Sequence, residues 1–393
     1  MNLKLLNTEI QRFINNNLNS DISKLLFRSS PFNDVSIKKI VEQIEAKSKS
    51  KSKLPTWYAT HTIYYPNKLN IEQTSSEVLA AYKSNLISGK SLIDLTGGFG
   101  VDCFYFSKQF EIVIHCEIDE KLSNIAKYNF EILKASNIKC INSNGIDFLK
   151  RNIKNYDWIF IDPSRRNELK GKVFYLNDCS PNLVKHIDAL LKYSNNIMIK
   201  ASPMLDVSVG ISELKFVKEI HIIAVNNEVK ELLYIIKKGY DKKIKLITIN
   251  KSSKSNQVFQ FYIQDESKAQ SKYATVKNYL YEPNAAIMKS GAFNLISDSY
   301  KLDKLHPNSH LYTSHTRIDF PGRVFKVIKV IPYNKRVTKS ELNSKKFNIS
   351  TRNFPESIQS IKKRYKIKDG GEKYVFFTTD FLNKKLLIFT EKA

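Results

Sequence analysis

Apolar positions fall into three regimes along the chain. Over the first 46 residues they recur at helical spacing: Ile10, Phe13 and Ile14, then Ile22, Leu25 and Leu26, then Ile37, Ile40, Val41 and Ile44. That spacing predicts three short helices. The stretch KSKSKSK, Lys47 to Lys53, has nothing to bury and reads as a mobile basic linker that completes an N-terminal region of residues 1–53. From Ser91 the pattern changes to apolar runs separated by amphipathic stretches: SLIDL, EIVIHCEID, IKCINSNG, YDWIFIDP, NNIMIKASP, EIHIIAVNN and ELLYIIKKG. Continuous rather than alternating apolar strands belong to a sheet buried on both faces, so residues 54–245 predict an α/β domain with a mainly parallel, seven-stranded sheet. The last two runs lie too close together for a helical crossover and predict a hairpin with an antiparallel final strand. Beyond about Lys245, KLITI, QVFQFYI, VFKVIKVI, KYVFFTT and KLLIFT flank a helical PESIQSIKKRYKI. These predict small α+β units over 246–320 and 321–393, with KSSKSN and KDGGEK as hairpin turns.

Length and charge narrow the class. A chain of 393 residues exceeds the roughly 250 that one core sustains, so several domains are expected. No apolar run approaches the roughly 18 residues of a membrane span, and MNLKLLNTEIQRF is too polar for a signal peptide. Cys103, Cys116, Cys140 and Cys179 lack C-x-x-C pairing, which argues against a disulfide framework and against a cysteine zinc site. A cytoplasmic protein without membrane attachment is expected. Lys and Arg number 63 against 38 Asp and Glu, a formal +25 that draws in a polyanion such as nucleic acid. An AT-rich genome also inflates lysine, asparagine and isoleucine, so composition alone leaves that alternative open.

Candidate chemistry starts at DLTGGFGVD, residues 94–102, where the first apolar run stops. Glycines directly after a strand let the backbone approach a ligand and open a helix whose amides face it. A Walker phosphate loop is excluded, because the G-K-S of SNLISGKS has no leading glycine and precedes the strand. A dinucleotide fingerprint fails because Cys103 stands where the third small residue belongs, and Asp94 would repel a pyrophosphate. An acid there suits a cation. S-adenosyl-L-methionine (SAM) carries a sulfonium and an ammonium that Asp94 can serve. Glu117 ends the second strand, where it can accept both ribose hydroxyls, and the amide oxygen of Asn144, after the third, can receive the adenine amino group. An NAD oxidoreductase is the weaker alternative.

These segments resemble class I SAM-dependent methyltransferases: DLTGGFGVD is similar to their first motif, CEID to their ribose acid, NGIDFL to their adenine segment and IDPSRR to their fourth motif. More closely, EQTSSEVLAAYK, DPSRR, IKASPMLD, NNEVKELL, RNFP and KIKDGGEKYVFF resemble bacterial methyltransferases that carry a C-terminal THUMP-like domain. The resemblance runs from about Leu54 to the C-terminus. It implies a Rossmann-like catalytic domain, SAM as cofactor, and an RNA substrate, tRNA or rRNA. The implied cofactor residues are Asp94, Thr96, Gly97, Gly98, Gly100, Glu117, Ile118, Asn144, Gly145 and Asp162.

Strand 4 ends in Asp162-Pro163-Ser164-Arg165-Arg166, where methyltransferases acting on exocyclic amines usually place an aromatic that stacks on the flipped base. Arg165 and Arg166 replace that ring and can pin a phosphate or stack on a base, while Asp162 can accept from the nucleophilic nitrogen. Asp162, Ser164, Arg165 and Glu228 form the expected catalytic set, and Arg165, Arg166, Lys200 and Lys230 the substrate set. Uracil-C5 enzymes need a cysteine nucleophile after strand 5, where this chain has Ala201, so direct transfer to nitrogen, or less favourably oxygen, is expected. In EQTSSE, Ser75 or Ser76 is expected to cap the following helix, with Gln73 reaching towards the cofactor. His306, His310 and His315 lack nearby cysteines, and no metal site is expected. A rival reading is an RNA-binding protein whose SAM-binding fold is inactive, or a methyltransferase with a non-RNA substrate.

Overall fold

The computed structural model describes residues 1–165, 175–253 and 255–393. It forms two compact units: Met1–Ala201 with Val209–Phe216 and Ile235–Tyr240, and Ser202–Ser208 with Val217–Tyr234 and Asp241–Ala393.

The first unit opens with α1 (Thr8–Asn16), α2 (Ile22–Leu26) and α3 (Ile37–Lys53). The side chains of Asn7 and Asp21 cap the first two. The expected basic linker is the last part of α3. Ala46, Lys47 and Ser50 are buried with Ile40, Gln43 and Ile44 on one helical face, and Ser50 Oγ donates to the Ala46 carbonyl at 2.9 Å. Small side chains and a lysine stem therefore bury a stripe that polarity conceals; Lys47 rests its ammonium 5.8 Å from the Tyr58 ring centre. After α4 (Pro55–Ala59), α5 (Lys68–Gln73) and α6 (Glu77–Ser84) comes the sheet. Its strands are β1 (Gly89–Asp94), β2 (Phe110–Glu117), β3 (Ile138–Asn142), β4 (Trp158–Ile161) and β5 (Asn196–Ala201). They pair in parallel in the order β3-β2-β1-β4-β5. Leu92, Ile93, Val113, Ile159, Ile161 and Ile197–Ile199 are buried, as continuous apolar runs require. Helices α7 (Val101–Phe106), α8 (Glu120–Ile132), α9 (Gly145–Arg151) and α10 (Leu183–Leu190) connect them. The chain winds outward from β1 through β2 to β3, then returns to the other side of β1 as β4. Ligands of open α/β sheets bind where the order reverses in this way, at the carboxyl ends of the strands.

The second unit holds the expected hairpin. β6 (Val217–Val225) and β7 (Glu228–Lys237) are joined by Asn226 and Asn227 at φ of 50° and 64°, the left-handed pair that a tight two-residue hairpin turn demands and asparagine tolerates. β8 (Lys245–Lys251) lies parallel to β6, and β9 (Asn256–Tyr262) pairs antiparallel with β8. Thus KLITI and QVFQFYI extend the hairpin's ladder rather than the small C-terminal units. The last residues of β7, Ile235–Lys237, belong to the first unit and continue its strand order beyond β5.

A second sheet contains β10 (Tyr279–Pro283), β11 (Asp303–Lys304), β12 (Tyr312–Ser314), β13 (Gly322–Pro332), β14 (Asn348–Arg352), β15 (Lys373–Thr379) and β16 (Lys385–Lys392), ordered β11-β12-β10-β13-β16-β15-β14. β14 and β15 are parallel and joined by the helix Ile358–Tyr365. KDGGEK leads from that helix into β15 instead of turning a hairpin, bending at Gly370 and Gly371 with φ of 119° and 80°. Among the described residues no helix is long and apolar enough to cross a membrane.

Candidate functional site

Asp94 ends β1 as a buried carboxylate. Its Oδ1 accepts from the Thr96 amide at 2.8 Å and the Thr96 hydroxyl at 3.2 Å, and its Oδ2 accepts from Cys103 Sγ at 3.2 Å. Burial raises its pKa to about 7 against these hydrogen bonds. The acid therefore staples the turn. Thr96 Oγ1 also accepts the Asp162 amide at 2.7 Å, which ties the end of β4 to the same turn.

The glycines serve distinct purposes. Gly97 donates to the Cys116 carbonyl at 2.7 Å, and a side chain there would meet the His115 ring at 2.4 Å. Gly98, at φ 56°, donates to Glu117 Oε2 at 2.8 Å. Gly100, at φ 87°, opens α7, and a Cβ on it would lie 2.3 Å from Phe130. Gly145 likewise has no room beside Leu95. The backbone can reach these positions only because no side chain is present.

At the ends of β2 and β3 the predicted residues are present with partners of their own. Glu117 Oε1 accepts the Asp119 amide at 2.8 Å, so both its oxygens are oriented by backbone amides. Ile118 is 71% exposed beside it, an apolar surface at the crevice. Asn144 caps α9: its amide oxygen accepts from Ile146 at 3.0 Å and Asp147 at 3.2 Å. That corrects the expectation that this oxygen is held for an adenine, because the helix amides already occupy it; the NH₂ of the same group remains.

Asp162 Oδ2 forms an ion pair with Lys200 at the end of β5, so these two residues meet as the strand order demands. Ser164 and Arg165 pair with Cys179–Ser180 as a two-residue ribbon; of Arg165 only the backbone is described, and Arg166 lies outside the described residues. Glu228 and Lys230 belong to the second unit, where they form an exposed ion pair at 2.6 Å. In EQTSSE neither serine caps by its side chain. Ser76 occupies the cap position of α6 without a side-chain bond, while Ser75 donates to Asp102 Oδ2 at 2.7 Å. Lys83, fully buried, completes that cluster with Asp102 Oδ1 at 3.1 Å. Gln73 is exposed at the end of α5.

One residue was missed. His115, in the middle of β2, is fully buried under the glycine turn with Nε2 3.1 Å from the Gly98 carbonyl and its ring edge-on to Phe130. Burial lowers its pKa, so the neutral ring is the one that supports the loop. A lone polar residue inside an apolar strand was the available signal. The histidines of HPNSHLYTSH do not converge on a metal: His306 bonds Asn353, His310 stacks on Phe293, and His315 is exposed. Among the described residues no three His, Cys, Asp or Glu side chains gather to hold one.

Residues 279–321 match a ferredoxin-like domain family and residues 322–392 a family described as THUMP domain-like. No curated protein matches the chain. A solved structure from Porphyromonas gingivalis W83, described as a "putative methyltransferase", shares 32% identity and a TM-score of 0.89, covering 100% of this chain and 99% of its own. TrmK of M. capricolum, solved with S-adenosyl-homocysteine, is 20% identical over 42% of this chain and 70% of its own, with a TM-score of 0.32. Escherichia coli yhhF, also described as a putative methyltransferase, is 20% identical over 41% of this chain and 84% of its own, with a TM-score of 0.29. The chain belongs to the family of the Porphyromonas protein, a class I methyltransferase fold with a C-terminal THUMP-like domain.

Proposed function

We propose that the protein is a SAM-dependent RNA methyltransferase that transfers the methyl group directly to a nitrogen of a nucleotide. The observation that carries this reading is the Gly98 amide held on Glu117 at 2.8 Å, which fixes an acid against the glycine turn at the point where the strand order reverses. Glu117 is suited to the ribose hydroxyls, exposed Ile118 to an adenine face, and buried Asp94 to the positive end of SAM. A cationic ligand would favour the ionised form of a carboxyl whose burial raises its pKa to about 7.

SAM would supply an electrophilic methyl carbon with its thioether as leaving group, and Asp162, or water, would take the proton that the substrate nitrogen gives up. Asp162 Oδ2 is engaged by Lys200, which leaves Oδ1 to orient the nitrogen. Glu228 and Lys230 serve each other in an exposed pair and remain weaker candidates for base and substrate contact. The cysteines support direct transfer. Burial pushes the thiols of Cys103 and Cys116 up and that of Cys140 to about 11, away from thiolate chemistry. RNA is favoured as substrate by the THUMP-like region, where residues 322–392 hold 18 Lys and Arg against 6 Asp and Glu.

Calorimetry with SAM and its demethylated product tests the cofactor, and absence of binding to the wild type refutes the reading. Transfer from labelled SAM into total RNA tests the activity. The Asp162–Lys200 pair also favours a second reading, an RNA-binding protein in which that pair occupies a catalytic position no longer used; SAM binding with label transferred neither to RNA nor to any other cell fraction is the result it expects.

A further inference from the structure

Lys304 of β11, His310 of the histidine-rich loop and Arg352 of β14 are basic groups that methyl transfer does not use. Lys304, in β11, is 2% exposed, yet among the described residues no hydrogen bond or ion pair reaches its ammonium. Its Nζ lies 5.6 Å from the centre of the Phe293 ring. His310 stacks on that ring with centres 3.5 Å apart and planes at 18°, and its Nδ1 is buried without a partner. Arg352 is held by buried Glu282, with its Nη2 2.8 Å and its Nε 3.0 Å from Glu282 Oε1. Arg323 occupies Glu282 Oε2, so one carboxylate serves two guanidinium groups. Glu266, the acid whose charge favours protonated Lys304, spends its two oxygens on the amides of Asn294 and Leu295, each at 2.8 Å.

Isolated positive charge is costly to bury, and a fold that retains it uncompensated is poised for an anion. The burial of His310, together with the charges of Lys304 and Arg352, lowers its pKa to about 4, which marks the three groups as close neighbours with an excess of positive potential. We propose that Lys304, His310 and Arg352 form a binding site for a phosphate monoester, with Lys304 as the charge that contacts it. The ammonium is a compact donor and the guanidinium a planar fork, the pairing that phosphate oxygens take up best. Two sources share this chemistry: the terminal phosphate of an RNA strand and a free phosphate or mononucleotide. The site lies within the second unit, whereas Asp94, Glu117 and Asp162 lie in the first, and it needs neither SAM nor turnover, so its failure would leave the proposed function untouched.

The test uses the full chain. Inorganic phosphate is titrated against equal ionic strength of chloride while thermal unfolding is followed, for the wild type and for Lys304→Met, which keeps the stem and removes the charge. Phosphate is expected to raise the wild-type midpoint beyond chloride. Lys304→Met should be at least as stable as the wild type without phosphate, because it removes an unpaired buried charge, and should bind phosphate about tenfold or more weakly. A wild type that responds equally to both salts overturns the proposal. So does a variant that keeps the phosphate shift, or one that fails to fold by circular dichroism, since the ammonium would then be structural. Short oligoribonucleotides ending in phosphate or in hydroxyl then identify the source: tighter binding of the phosphorylated strand, abolished by Lys304→Met, assigns RNA, and equal binding of both assigns free phosphate or mononucleotide.

Discussion

Replacing Gly97 by alanine should break the glycine turn through a single collision. Gly97 has no positive φ, so its backbone suits any residue and the effect isolates packing. A Cβ built there lies 2.4 Å from His115 Cδ2 and Nε2 and 2.7 Å from Cε1, well inside ordinary contact of about 3.5–4 Å. The ring has nowhere to retreat, since it is fully buried and packs edge-on against Phe130 at 5.5 Å. Overpacking of this kind costs about 1–3 kcal/mol, and losing the His115–Gly98 hydrogen bond adds about 1 kcal/mol, for a sum of about 2–4 kcal/mol. His115→Ala alone should cost a similar amount, as a cavity and an unsatisfied Gly98 carbonyl. The double variant removes the collision, so it should be about 1–3 kcal/mol more stable than the sum of the two single losses. Denaturant unfolding of all four proteins measures this coupling, and SAM calorimetry should show Gly97→Ala binding weakly. Additivity within about 0.5 kcal/mol would mean that the ring is not what excludes a side chain at Gly97, and the account of the turn would fail.

Asp94, with its pKa raised by burial to about 7 against about 4 unfolded, contributes stability that is fully present below pH 4 and is lost as pH rises through 7. Three units correspond to an upper limit of about 4 kcal/mol, so Asp94→Asn should gain on the wild type between pH 5 and pH 8; parallel denaturation midpoints at the two pH values would contradict this. Asp162→Ala should lower turnover about a hundredfold or more while SAM affinity stays within about twofold, and full activity on RNA would move the search for the base to NNEVKE. Lys83→Met should cost about 3–5 kcal/mol by leaving Asp102 buried without its cation, and Asp102→Asn added to it should recover part of that loss; urea titration decides.

The parallel sheet, the hairpin and the glycine turn were legible in the chain because each follows from local rules: continuous apolar runs, a connection too short for a helix, and glycines directly after a strand. Asp94, Glu117 and Asp162 were legible as acids at strand ends for the same reason. Their partners were not. That Asp94 binds Thr96 and Cys103, that Asn144 spends its oxygen on a helix cap, and that Asp162 pairs with Lys200 depend on which strands become neighbours. The same holds for KSKSKSK, which composition reads as solvated linker and which packing makes helix once Ala46 and Ser50 have a surface to lie against. Lys83, His115 and Lys304 carry the difference furthest. By residue type each belongs in water, and only the fold supplies what surrounds it: Asp102 and Ser75 around Lys83, the Gly98 carbonyl above His115, and around Lys304 an aromatic ring with no counter-charge in contact. Periodicity records how much of an element is buried, whereas the partner of a buried polar group is set by residues far away in sequence, and that pairing exists only in three dimensions.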